Sequence, residues 1–149
     1  MICYTDGACS GNGYEGAYGG FGVVVLTDEE ELITTYSKGC IGTTNNREEI
    51  KAVLWTLLTY GNLNPVVYSD SAYVVNTFNS WVWKWRKNGW LKSDNKTPEN
   101  LDLIKAFCEY WDKGYRITLR KCDGHKGVKY NEMADKLAVA AKEEIKVGK

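Results

Sequence analysis

The sequence predicts an α/β domain built on a mixed sheet, and three observations lead there. Short β-branched runs crowd the first forty or so residues, apolar residues at helical spacing begin near Ile50, and strand-like and helix-like segments alternate from there on. The resulting order, three strands and then α-β-α-β-α with extra short helices, is that of a mixed sheet covered by helices. At 149 residues, 44% of them hydrophobic, the chain can bury one sizeable core, so a single domain over residues 1–149 is expected.

Ile2-Cys3-Tyr4-Thr5 is a short apolar run that Asp6 ends. Gly19 to Leu26 is rich in β-branched residues, and Leu32 to Gly39 follows after the acidic turn Asp28-Glu29-Glu30-Glu31. Close spacing with short turns predicts an antiparallel meander. Ile50, Val53, Leu54, Leu57 and Leu58 fall at i, i+3, i+4, i+7 and i+8, one buried face of a helix that Thr44 or Asn45 can cap and Gly61 can end. Asn64-Pro65 marks a turn before the strand Val66 to Ser69. Ser71 to Asn79 and Ser80 to Lys87 read as two short helices, and Asn88 to Asn100 as a polar loop. Leu101 to Asp112 carries Leu101, Ile104, Phe107, Cys108 and Trp111 at helical spacing. Arg116 to Arg120 is the last strand, Asp123 to Lys129 a loop, and Tyr130 to Ile145 the last helix.

Nineteen basic residues balance nineteen acidic ones, so affinity for a polyanion must come from local clusters rather than net charge. The five cysteines show no CxxC spacing and there is one histidine, which argues against a zinc site or a disulfide framework. Met1 leads straight into a strand and no apolar run approaches membrane-spanning length, so a reduced cytoplasmic protein is expected, without a membrane segment.

The chemistry is suggested by four acids. Asp6 and Asp70 end apolar strand runs, and Glu49 lies at the edge of a helix's apolar stripe. Its neighbour Glu48 should point about 100° away, into solvent. Asp135 can join them if the last helix packs beside the same sheet edge, where ligands of α/β sheets collect. Buried acids cost several kcal/mol unless something positive meets them. Converging carboxylates cannot all stay ionised without cations, and magnesium favours such oxygen ligands. Each acid also has a plain structural reading: a turn acceptor for Asp6 or Asp70, a capping network for Glu49, a solvated helical acid for Asp135.

Tyr4-Thr5-Asp6-Gly7-Ala8-Cys9, Thr43-Thr44-Asn45-Asn46-Arg47-Glu48-Glu49, Tyr68-Ser69-Asp70-Ser71-Ala72-Tyr73-Val74 and Asn131-Glu132-Met133-Ala134-Asp135 resemble the active-site segments of type 1 ribonuclease H, in order and spacing. Gly124-His125 followed by Asn131 is similar to the family's catalytic-histidine loop, and Trp81 to Trp90 to its basic protrusion. The resemblance covers essentially the whole chain. It implies the ribonuclease H-like fold, a five-stranded mixed sheet of three antiparallel strands plus two parallel ones. It also implies cleavage of the RNA strand of RNA–DNA hybrids with two Mg2+ ions, or Mn2+, held by Asp6, Glu49, Asp70 and Asp135. His125 would assist proton transfer or product release, a role that a loosely held imidazole titrating near neutrality suits. Asn12, Asn45 and Asn46 would meet the hybrid near the cut, where 2′-hydroxyls distinguish RNA. Thr44 and Asn100 would hold a phosphate of the DNA strand.

Lys84, Arg86, Lys87 and Lys92 interleave with Trp85 and Trp90 without an acid, a pattern for a nucleic-acid backbone. Trp81 and Trp85 are expected partly in the core, with Lys87 and Trp90 facing the DNA strand. The chain departs from the family pattern in lacking a proline in Gly11-Asn12-Gly13-Tyr14-Glu15-Gly16, in having Ala72 after the Asp-Ser pair, and in Asp123 before Gly-His, changes that bear on substrate grip and pH optimum. A stand-alone monomeric enzyme is expected. A hybrid-binding module without catalysis, a DNA-junction nuclease of the same fold and the ribonuclease domain of a reverse transcriptase are the alternatives.

Overall fold

The computed structural model describes residues 1–11, 16–122 and 128–147. Strands β1 (Ile2–Ser10), β2 (Tyr18–Leu26) and β3 (Leu32–Ile41) form the antiparallel meander, and β4 (Val66–Ser69) and β5 (Thr118–Lys121) add parallel to β1. The sheet order is β3-β2-β1-β4-β5, the expected five-stranded mixed sheet. Helix α1 (Asn45–Tyr60) crosses from β3 to β4, α4 (Leu101–Asp112) precedes β5, and α5 (Val128–Val147) closes the chain.

Each sheet face has its own core. Cys3, Val23, Val25 and Val67 point to α1 and α4, where Ile50, Val53, Leu57, Ile104 and Phe107 cover them. Tyr4, Val24 and Leu26 point the other way, against Ala134, Met133 and Leu137 of α5. With both faces covered, β2 is buried from Gly19 to Leu26, which is why it reads as an unbroken apolar run. A Cβ on Gly22 would stand 2.5 Å from the Ala134 carbonyl oxygen and one on Gly20 2.7 Å from that of Ala138. These glycines bring α5 down onto the sheet, and with it Asp135.

Several boundaries differ from the sequence reading. Asp6 does not end its strand: β1 continues to Ser10 because β2 pairs with it all the way to Tyr18. The parallel partner β4 does stop, at Ser69 opposite Thr5. Asp6 is therefore the first residue of β1 with no strand beside it on that flank. The two helices expected over 71–87 form one helical run: α2 (Ala72–Asn76), a π-helical turn (Thr77–Trp81) and α3 (Val82–Lys87). Val74, Phe78 and Val82 are all buried at four-residue spacing, and a wider turn corrects the drift that a 3.6-residue helix would impose on them. The last strand begins two residues later than expected, and α5 extends past both expected ends.

Candidate active site

The loss of a neighbour beside Asp6 opens a notch in the sheet. Gly7 N–H donates to Asp6 Oδ1 at 2.9 Å and fixes the carboxylate. Asp70 follows the last residue of β4, in a turn set by two serines. Ser71 N–H donates to Ser69 Oγ at 3.1 Å, and Val74 N–H donates to Ser71 Oγ at 3.2 Å, capping α2. Glu49 comes from the start of α1, whose cap is Thr44: its Oγ1 accepts from Arg47 N–H at 3.1 Å. The helix can sit over the notch because residue 7 has no side chain; a Cβ there would lie 2.5 Å from Glu49 N.

One oxygen from each of Asp6, Glu49 and Asp70 lies within 4.8 Å of the others. Asp6 and Glu49 are buried and Asp70 is exposed. Asp135, exposed on α5, stands near enough to influence the Asp6 carboxyl but outside this tight group. Asn131, one turn earlier on α5, reaches from Nδ2 to Asp70 Oδ2 at 3.5 Å. The last helix therefore touches both strand-borne acids.

Burial pushes the Asp6 carboxyl above the ordinary range, and the charge of Asp70 adds to the effect. Burial raises Glu49 further, and its hydrogen bond with Asp6 and the charges of Asp6 and Asp70 act in the same direction. Burial and mutual repulsion both favour a protonated carboxyl in this pair unless a cation is present. Among the described residues no ion pair reaches the three acids, and Glu49 Oε2 is buried without a hydrogen-bond partner. An all-oxygen set with an orphaned buried oxygen and no cationic side chain fits a hard divalent cation.

Glu48 corrects the sequence reading. It is fully buried, with Oε2 accepting from Thr43 Oγ1 at 2.6 Å and paired with Lys51 Nζ at 2.8 Å. Helical angle alone placed it in solvent, but α1 starts close against Gly7 and Gly19 of the sheet, so its first turn has two buried sides. The run Gly19-Gly20-Phe21-Gly22 was the signal for such close packing on both faces.

Asn45 and Asn46 stand exposed at the start of α1, and Asn100 occupies the position before the first turn of α4. In the basic segment, Arg86 is bound to Asp112 through two bonds of 3.0 and 2.6 Å. Trp81, Lys84, Trp85, Asn88, Leu91 and Lys92 line a cavity of about 670 Å³. Lys87 is exposed. Trp85 and Trp90 pack on the core, whereas Trp81 is 38% exposed and meets Trp85 in a tilted pair with ring centres 6.2 Å apart. Trp90 has Lys105 Nζ 5.6 Å from its ring centre and a left-handed backbone (φ 65°) secured by its N–H to the Trp85 carbonyl. His125, Asn12 and the departure at Asp123 lie outside the described residues.

The family model for RNase H matches residues 1–143, which span every one of these acids. The chain belongs to the ribonuclease H family. The ribonuclease H of Caldanaerobacter subterraneus subsp. tengcongensis is 42% identical over 137 residues, covering 91% of this chain and 86% of that protein. The ribonuclease H of Clostridium botulinum (strain Hall) is 37% identical over 149 residues, covering 99% and 98%. Among solved structures, LC9-RNase H1, described as a type 1 RNase H with the type 2 active-site motif, superposes with a TM-score of 0.77 at 30% identity, over 96% of this chain and 72% of that one. LC11-RNase H1, solved in complex with an RNA/DNA hybrid, shares the fold with a TM-score of 0.70 at 21% identity, over 97% of both chains. Ribonuclease H membership and fold support a nuclease of RNA–DNA hybrids.

Proposed function

We propose that the protein is an endoribonuclease that hydrolyses the RNA strand of RNA–DNA hybrids by a two-metal-ion mechanism. The convergence of Asp6, Glu49 and Asp70 within 4.8 Å, with a buried unpartnered oxygen on Glu49, carries this reading. Asp6, Glu49, Asp70 and Asp135 would hold two Mg2+ ions, with Mn2+ as a substitute. When bound, such a pair stabilises the attacking and leaving oxygens of a phosphodiester.

The chain's own residues do the rest. Bound cations would favour the ionised forms of Asp6 and Glu49, which would tie metal loading to pH. The exposed amides of Asn45 and Asn46, together with Asn12, meet the shallow minor groove, where the 2′-hydroxyls separate RNA from DNA. Thr44 and Asn100 hold a phosphate of the DNA strand, and Lys84, Lys87 and Lys92 with Trp81 and Trp90 attract the same strand farther along. His125 moves a proton or helps product leave. All four acids come from one chain, so the site is complete in a monomer.

A binding module on the same scaffold is the other reading. It is disfavoured because binding a polyanion gains nothing from a buried group of acids. A cleavage assay on matched RNA–DNA, RNA–RNA and DNA–DNA duplexes, with magnesium, with manganese and with chelator, tests the proposal. Internal cuts in the RNA of the hybrid alone, abolished by chelator, are expected. Tight hybrid binding without cleavage under every metal condition would establish the module instead.

A further inference from the structure

Asn100 is an unusual helix cap. Asparagine is favoured at that position because its side chain accepts a backbone N–H of the first turn. Here the side chain makes no capping bond, and the backbone is left-handed, with φ of 60°. The amide is held instead by Arg47, whose Nη1 donates to Asn100 Oδ1 at 3.3 Å, with the Tyr73 hydroxyl beside it. A side chain that forgoes its own cap and is engaged by an arginine from another helix points to a function beyond capping.

Arg47 is itself fixed. Its guanidinium meets the Asp102 carboxylate through two bonds, Nη1 to Oδ1 at 3.0 Å and Nη2 to Oδ2 at 2.7 Å. That fork geometry is the most directional ion pair available to a protein, and it joins the first turn of α1 to the first turn of α4. Arg47 also donates its backbone N–H to Thr44 Oγ1, and it stands two residues from Glu49. One residue thus touches Thr44 and Asn100 and shares a helical turn with a metal-binding acid.

We propose that Arg47, braced by Asp102, is a positioning residue that aims Asn100 at a backbone phosphate of the hybrid and fixes that contact relative to Glu49. The inference rests on the hybrid-nuclease reading above. With its fork occupied by Asp102, Arg47 acts through Asn100 rather than as a phosphate ligand itself. Lysine could keep the charge but could not hold Asp102 and Asn100 together.

The test compares Arg47→Lys, Asp102→Asn and Asn100→Ala in steady-state cleavage of the hybrid. It includes substrates that carry one neutral methylphosphonate at successive positions of the DNA strand. Each variant should raise KM about tenfold and leave kcat within about twofold. One methylphosphonate position should weaken the wild type by a similar factor and leave the three variants unaffected. Arg47→Lys combined with Asn100→Ala should be no worse than Asn100→Ala alone. Both bridge residues are surface groups, so the fold should survive, and thermal melts verify this. Unchanged KM, or penalties that simply multiply in the double variant, overturns the proposal. A lowered KM in Asp102→Asn also overturns it, because Asp102 would then be occupying a phosphate seat on Arg47. A wild type that cleaves no hybrid instead removes the functional reading underneath it.

Discussion

Replacing Gly7 by alanine should disable catalysis without touching any reacting group. The backbone at Gly7 is not among the left-handed glycines, so alanine brings no torsional penalty there. The effect is steric. The new methyl would sit 2.5 Å from Glu49 N and 2.7 Å from Glu48 C, both backbone atoms that no rotamer change can move. Comfortable carbon contacts begin near 3.5 Å, so the first turn of α1 must retreat by roughly 1 Å. Overpacking of this kind costs about 1–3 kcal/mol of stability. Glu49 retreats with the helix, while Asp6, bonded to the Gly7 N–H, stays with the strand. A misplacement of about 1 Å can lower turnover on the order of 10²-fold. The assay is kcat on a saturating hybrid at saturating magnesium, beside a urea unfolding curve for the same preparation. Gly114→Ala is the control: its φ is +101° and no atom lies within 4 Å of the added methyl, so it should lose about 1–2 kcal/mol and retain kcat. A Gly7→Ala enzyme with undiminished kcat, or one whose loss merely tracks its unfolded fraction, would refute the reasoning.

Asp70→Asn should fold normally, since the side chain is exposed, yet lose at least about 10³-fold in turnover because it removes charge from the cation site; circular dichroism with a cleavage assay measures both. In chelator, the raised pKa of Asp6, about 6 against an unfolded value near 3.8, means that the folded state holds its proton more tightly. That stabilisation is complete below about pH 4 and is lost as pH rises through about 6, up to roughly 3 kcal/mol, so melting temperature should fall across that window. Glu49, raised further still, extends the decline to higher pH, so Asp6→Asn should lessen it without abolishing it, and an unchanged decline through about pH 6 would mean that Asp6 is not among the groups responsible. Neutralising Lys87 and Lys92 together should raise KM and lower the slope of log KM against log salt by about 1–2 while sparing kcat; a fall confined to kcat would contradict a role in affinity. His125→Ala should lose about 10²–10⁴-fold and keep its metal affinity by calorimetric titration, whereas a large drop in affinity would make the histidine a ligand.

Much of this protein was legible in local periodicity. Ile50, Val53 and Leu57 announced α1 and are all fully buried, and the β-branched runs announced the meander, because side-chain period is a property of a segment alone. The acids were legible for a related reason: a carboxylate beside an apolar run is costly enough to need a cause. What tertiary structure decided was relative placement. Whether Asp6 ends a strand depends on how far β2 and β4 run beside it, which no residue near Asp6 encodes. Glu48 lies opposite solvent or sheet according to how closely α1 approaches Gly7 and Gly19, a contact between segments about thirty to forty residues apart. Likewise Trp85 and Trp90 pack on the core while Trp81 is 38% exposed, a difference set by the elements around the segment rather than by its spacing. Sequence periodicity sets which face a segment would bury, but the depth of burial, and so the electrostatic fate of a buried acid, is set by the neighbours that the chain brings to it.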